Sequence, residues 1–298
     1  MGVRPLPQAE KRSLAELIQS NRYELVHTGP NAAAACVLLW RLPGAIWALA
    51  IMAAVTCLLS QISLRRECTA RGIRPRFSSA LAEVRTLWTF SLPVVMTGAL
   101  AGPAMWAANT MLVNRPHGYA EMALLSAATQ WRSAILFGPL VLAQFALPLL
   151  SNFHGERDLP RYQKTLRWHL ILTAALATAV ATPVALAATY IMGLYGPNFQ
   201  EGWLVLVLSA ATAVVACLNG VVGTAILSAG SVWANCAFNA MWAVVFLAGC
   251  YWLIPSHRAI GLAASTLGAY LAHTAWQAAY LRQHLSRLER RIHAAAIG

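Results

Sequence analysis

Acidic side chains are scarce in this chain. Ten Asp and Glu stand against twenty-two Lys and Arg in 298 residues, and all ten lie in loops, in tails or at their edges. No pair of carboxylates falls inside an apolar run, so a carboxylate-driven ion pump and membrane-embedded hydrolysis both lack their usual chemistry. A Gly-rich phosphate loop, an HExxH helix and a nucleophile elbow are also missing. The six cysteines show neither CxxC nor metal-ligand spacing, and five lie in or beside apolar runs, which reads as small buried thiols. These absences point away from an enzyme and from a bound cofactor or metal. Strict alternation of apolar and polar residues is absent, which argues against a membrane barrel. No cleavable signal peptide is apparent, since Met1 to Asn31 is mostly polar, and insertion is expected to rely on the spans themselves.

What is abundant is apolar sequence. Hydrophobic residues make up 58% and charged residues 11%, against about 25% charged in an ordinary globular chain. Backbone groups in lipid must be satisfied within the segment, so the expected fold is all-α, a polytopic bundle of about seven transmembrane helices. The first apolar stretch, Ala32 to Leu64, is interrupted by Arg41 and Pro43, and Gly44–Leu64 is its expected span. The others are Leu87–Val113, Met122–Leu150, His169–Tyr195, Trp203–Leu227, Trp233–Ile254 and Ile260–Leu281. The chain then divides into a polar N-terminal segment (1–31) with a short amphipathic piece, a first helix with a basic loop (32–86), a six-helix lobe (87–281) and a basic tail (282–298).

The net charge of +12 does not form a stripe on a soluble face, and nucleic acid is not expected as a partner. It sits in connections. Arg65–Thr86, Ser151–Trp168 and Arg282–Gly298 carry six, four and four Lys or Arg, and the opposite connections hold only Arg115 and Arg258. Fourteen against two places the former side, with the C-terminus, in the cytoplasm. The basic residues of 1–31 then fall outside, an uncomfortable placement that suggests sequence missing upstream. Pro93, Pro103, Pro139, Pro148 and Pro183 lie inside spans, where each bends its helix and frees a carbonyl.

Arg132 lies in the Met122–Leu150 span, and a guanidinium there costs about 2.5–3.5 kcal/mol at the bilayer centre on insertion scales. Either it snorkels outward or it faces a water-filled cavity, where it meets an anion, most naturally a phosphate gripped bidentately. Gln130 and Trp131 beside it offer an amide and an indole. Asn109, Asn219, Asn235 and Asn239 are the other polar candidates, with Asn235 and Asn239 on one helix face. Interhelical hydrogen bonds are their ordinary role, and recognition of hydroxyls in a cavity is the functional one. His169 and His273 read as interfacial or packed imidazoles, or as proton relays.

Four runs then carry a resemblance. LWTFSLPVVMTGALAGP (Leu87–Pro103), AATQWRSAILFGPLVLAQFALPLLS (Ala127–Ser151), LYGPNFQEG (Leu194–Gly202) and IPSHRAIGLAAST (Ile254–Thr266), in that order and spacing, resemble the oligosaccharide and O-antigen flippases of the multidrug/oligosaccharidyl-lipid/polysaccharide (MOP) exporter superfamily. The resemblance implies two pseudo-symmetric six-helix lobes around a cationic cavity. It also implies, as substrate, an undecaprenyl-pyrophosphate-linked oligosaccharide moved from the cytoplasmic to the outer leaflet by alternating access, in polysaccharide biosynthesis at a bacterial inner membrane. Arg132 would hold the pyrophosphate, Gln130 and the asparagines would meet sugar hydroxyls, and Trp131 would stack on a sugar face. Seven spans correspond to one lobe and one further helix. The chain therefore either continues beyond this sequence, or pairs with an N-terminal lobe, or serves as a non-transporting membrane scaffold of a glycan-assembly complex.

Overall fold

The computed structural model of the chain describes residues 47, 50–66, 68–70, 84, 87–156 and 158–297. The polar N-terminal segment with its amphipathic piece, and most of the Arg65–Thr86 connection, lie outside the described residues. The chain divides into two compact units, Met1–Leu81 and Ala82–Gly298. In the first, residues 50–66 form helix α1, which overlaps the expected Gly44–Leu64 span and runs two residues past its end. Its apolar side chains Ile51, Val55, Leu58 and Ile62 are all exposed.

The second unit begins with a π-helical turn, Leu87–Ser91, that runs into α2 (Leu92–Val113). Then come α3 (Gly118–Gly155), α4 (Leu159–Leu186), the short α5 (Ala188–Gly193), a 3-10 turn (Pro197–Gly202), α6 (Trp203–Ser228) and α7 (Val232–Ile297). Among the described residues five helical segments are long and apolar enough to cross a membrane, and the last of them, Val232–Gln283, has 52 residues. At about 1.5 Å per residue such a helix would measure about 78 Å, far more than one ~30 Å crossing. It is two spans. Arg258 breaks it with φ 48° and ψ −123°.

Contacts between the arms show that α7 folds back on itself. Gly261 lies against the Leu253 carbonyl and Gly249 against Ser265. Farther from the turn, Trp242 meets Tyr270 at 5.4 Å and Phe238 meets Tyr280 at 5.4 Å between ring centroids. Residue numbers in these pairs sum to nearly a constant, the signature of an antiparallel hairpin. We call its arms α7a (232–257) and α7b (259–297). A side chain at Gly261 would collide with the Leu253 backbone, and at Gly249 a Cβ would lie 3.0 Å from Ser265 Oγ. These glycines set the closeness of the arms.

Glu121, in the first turn of α3, fixes the hairpin turn. Its Oε1 pairs with Arg258 Nη1 at 3.5 Å, and its Oε2 accepts the Ala259 N–H at 3.2 Å, capping the start of α7b. A cap from another helix satisfies a donor that the broken helix leaves orphaned.

Helix α6 is the centre of the lobe. Of its most apolar window 56% is buried, against 12 to 28% for the other spans. Ala210, Ala213, Ala225 and Cys217 let its neighbours approach closely, and small residues do this where no hydrophobic force separates helix from lipid. At one end, buried Tyr162 of α4 donates to the Ala225 carbonyl at 3.1 Å and lies 3.1 Å from Ser228 Oγ. Large apolar side chains point outward from the rim, among them Trp106, Phe137, Phe145, Leu186 and Trp252. In lipid this is the expected state of a span's outer face.

The expected span boundaries hold at Leu87–Val113 and Trp203–Leu227; Met122–Leu150 lies inside the longer α3, which runs from Gly118 to Gly155, and the largest shift is at the fourth span. The sequence expectation places the fourth span at His169–Tyr195, but α4 runs from Leu159 to Leu186. Asp158 caps its start by accepting the Arg161 N–H at 3.1 Å, with Pro160 in the first turn. Lys164, Arg167 and Trp168, read as loop because they are polar or interfacial, instead form the first turns of the helix. Ala187 ends it at φ −90° and ψ 10°, so Ala188–Tyr195 belongs to a separate turn.

Candidate substrate site

Arg132 sits midway along α3 with its side chain half-buried. Its Nε is sealed from the surface and has no hydrogen-bond partner among the described residues. It borders a cavity of about 20 Å³ between α2, α3, α6 and α7b, lined by Met105, Thr129, Ser209, Thr212, Leu262 and Thr266 among others. A cavity of this size holds about one water, which needs ≳ 10–15 Å³. Thr212 and Thr266 donate their hydroxyls to the Leu208 and Leu262 carbonyls, at 2.7 and 2.8 Å. Their oxygens therefore remain as acceptors toward the cavity, complementary to the Nε–H donor. The hydroxyl of Tyr270, on α7b, lies within electrostatic reach of the guanidinium.

Gln130 and Trp131 are adjacent to Arg132 in sequence but face another way, because consecutive helical residues are about 100° apart. Trp131 Nε1 donates to Tyr195 Oη at 3.2 Å, and Tyr195 Oη donates to Gln130 Oε1 at 3.5 Å. Tyr195 also lies 5.8 Å from Phe199, centroid to centroid. An amide and three aromatic rings thus gather where α3 meets the segment between α5 and the 3-10 turn. Gln130 is exposed and Tyr195 is 40% exposed, so this group is accessible.

Asn109 lies one turn beyond Met105 on α2, half-buried, with Oδ1 enclosed and unpartnered among the described residues. The other asparagines lie apart from Arg132's cavity. Asn219 is buried and its amide bridges α6 to α7b, donating to Thr274 Oγ1 at 3.2 Å and to the Tyr270 carbonyl at 3.4 Å. Asn235 is buried beside Gly223 and Gln277, and Asn239 donates back to the Asn235 carbonyl at 2.8 Å. His169 and His273 are buried, and neither ring nitrogen of either has a partner among the described residues.

Sequence reasoning missed Tyr195, Tyr270 and the hydroxyls around Arg132. A signal existed for part of this: Thr266, Tyr270, His273 and Gln277 recur at helical spacing along the Ile260–Leu281 span, a polar stripe on one face. Nothing local marks Tyr195, which reaches Gln130 and Trp131 from 64 or 65 residues away. Among the described residues no group of three His, Cys, Asp or Glu is placed to hold a metal ion.

The fold is that of the MOP-superfamily transporters. An outward-facing multidrug resistance MATE family transporter of that superfamily matches 89% of this chain and 62% of its own, with TM-score 0.68 and 14% identity. A MATE structure in a bent conformation gives 0.70 over 90% and 62%, at 13% identity. A MOP superfamily transporter from Pyrococcus furiosus gives 0.57 over 65% and 44%, at 15% identity. At such identities the likeness is one of fold.

In sequence the chain is similar to the EPS I polysaccharide export inner membrane protein EpsE of Ralstonia nicotianae, 28% identical over 184 residues, and to that of Ralstonia solanacearum, 28% over 187. These alignments take in 61% and 62% of this chain and 42% of each relative. The chain therefore spans less than half the length of the curated relatives it matches. No family model matches it.

Proposed function

We propose that this chain forms one lobe of a lipid-linked oligosaccharide flippase serving polysaccharide export in a bacterial inner membrane. The observation that carries this reading is the 28% likeness to a polysaccharide export inner membrane protein on a MOP-transporter fold. The substrate class is an undecaprenyl-pyrophosphate-linked oligosaccharide, and an N-terminal lobe supplies the other wall of the cavity. The end bearing Glu121 and Arg258 faces outward and the C-terminal end faces the cytoplasm, in keeping with the bias of basic residues. Alternating access moves the substrate between leaflets.

Within this lobe, Arg132 meets the pyrophosphate from the accessible side of its guanidinium, because the cavity at Nε has room only for about one water. Thr212 and Thr266 line the small cavity at its Nε, and Tyr270 lies within electrostatic reach. Gln130, Trp131 and Tyr195 offer an aromatic and amide surface to sugar rings, and Asn109 adds an amide on α2. Asn219, Asn235 and Asn239 keep α6 and the two arms of α7 in register.

Arg132→Ala should abolish surface polysaccharide in cells that depend on this transporter, and Arg132→Lys should retain part of it, since an ammonium keeps the charge without the bidentate fork. Both variants are compared at equal membrane abundance. Normal polysaccharide with Arg132→Ala would remove Arg132 from the mechanism.

A further inference from the structure

Helix α4 carries two unlike faces. Tyr162, Leu166, His169, Thr173 and Ala177 are buried in the lobe. The opposite face is exposed, and its chemistry changes in order along the axis. Lys164 and Arg167 come first, then Trp168, 62% exposed, then Ile171 and Leu172, 47% and 53% exposed. An open groove of about 620 Å³ follows this face, bordered by Pro160, Gln163, Lys164, Arg167, Trp168 and Ile171.

The two cations lack a carboxylate partner among the described residues. Asp158, the nearest acid in sequence to have its contacts described, is already engaged by Arg161, whose Nε lies 3.2 Å from Oδ2 and whose N–H donates to Oδ1. Lys164 and Arg167 are three apart and so project from one side of the helix on successive turns. They form a local positive site beside an indole at the head of an apolar stripe.

We propose that this face of α4 binds an anionic glycerophospholipid. The headgroup phosphate lies between Lys164 and Arg167, the glycerol region lies against Trp168, and an acyl chain runs along Ile171 and Leu172. The order of chemistry on the helix matches the order in the lipid, cation to phosphate, indole to interface, aliphatic to acyl chain. A free phosphate would use the two cations and leave the indole and the aliphatic stripe without purpose. The site is separate from Arg132 and does not depend on what the lobe transports.

The test uses the full chain in detergent, incubated with equal amounts of phosphatidylglycerol and phosphatidylcholine of identical acyl chains, with retained lipid read by native mass spectrometry. Two interfacial cations should favour the anionic lipid by roughly tenfold or more. Lys164→Gln with Arg167→Gln should bring the two lipids to near parity. Lys164→Arg with Arg167→Lys should keep the preference, and so should Arg161→Gln, which removes an equally basic neighbour already paired with Asp158. Excess glycerol 3-phosphate should fail to displace phosphatidylglycerol. All the altered side chains are exposed, so the variants should stay folded, checked by an unchanged helical circular dichroism spectrum. Undiminished preference in the double Gln variant would overturn the proposal. An equal loss in Arg161→Gln, or displacement by glycerol 3-phosphate, would do so as well.

Discussion

Removing the Glu121 carboxylate should loosen the α7 hairpin by a calculable amount. Glu121 makes two contacts with the turn: a cap to the Ala259 N–H at 3.2 Å and an ion pair to Arg258 at 3.5 Å. Loss of a helix cap costs about 1 kcal/mol. The Arg258 side chain is 49% exposed, so solvent screening reduces the pair to a few tenths of a kcal/mol. Glu121→Ala should therefore destabilise the lobe by about 1–1.5 kcal/mol, a fall in Tm of roughly 2–3 °C for a chain of this order of size. Glu121→Gln keeps an oxygen for the Ala259 N–H and should lose much less. Arg258→Gly gives up the pair but relieves a non-glycine residue held at φ 48°, so its two effects oppose and the net change should be small. Thermal unfolding of the purified chain in one detergent, followed by helical circular dichroism, ranks the three. The reasoning fails if Glu121→Ala melts with the wild type, or if Arg258→Gly is the most damaging of the set.

Other substitutions probe the rest of the lobe. Gly249→Val should push the hairpin arms apart at Ser265 and cost about 1–3 kcal/mol, a penalty that Ser265→Gly should partly relieve in the double variant; no relief would mean that the arms do not meet there. Asn219→Ala removes the bridge from α6 to α7b and should cost about 0.6 to 1.7 kcal/mol, the range of interhelical hydrogen bonds in membranes. A melting temperature equal to wild type would show that the bridge contributes nothing. Tyr195→Phe and Trp131→Phe, combined in a double-mutant cycle, should show a coupling of about 0.5–1.5 kcal/mol from their shared hydrogen bond. Strict additivity would count against the contact.

Much of the architecture was legible in particular residues. Leu87–Val113 coincides with its expected span because apolar sequence there is bounded by Asn114, Arg115 and Pro116, which no span interior would carry. The α4 boundary was not legible. Lys164, Arg167 and Trp168 look like loop when hydropathy is averaged, yet a helix can extend past the apolar layer with its cationic turns in the interface. The hairpin was half visible: Pro255 and Arg258 mark an interruption, but a backbone reversal within a single residue depends on Gly261 and on Glu121, 137 positions away from Arg258. The same limit applies to the candidate site. Arg132, Gln130 and Trp131 stand out as polar or aromatic residues in an apolar run, yet their division between two faces follows from helix geometry and their partners from packing.

By itself the sequence determined that this is an all-helical membrane chain, because the cost of an unsatisfied backbone in lipid leaves long apolar segments little other choice. It also marked which side chains are anomalous there, since a guanidinium or an amide in hydrocarbon demands a partner whatever the fold. Only the tertiary structure decided what surrounds them. Thr212 and Thr266 line the cavity beside Arg132, Tyr195 joins Gln130 to Trp131, and Asn219 ties α6 to α7b. The physical reason is range: hydropathy and helix period are properties of a dozen neighbouring residues, whereas these contacts join positions 51 to 65 apart or farther, brought together by the packing of small residues around α6.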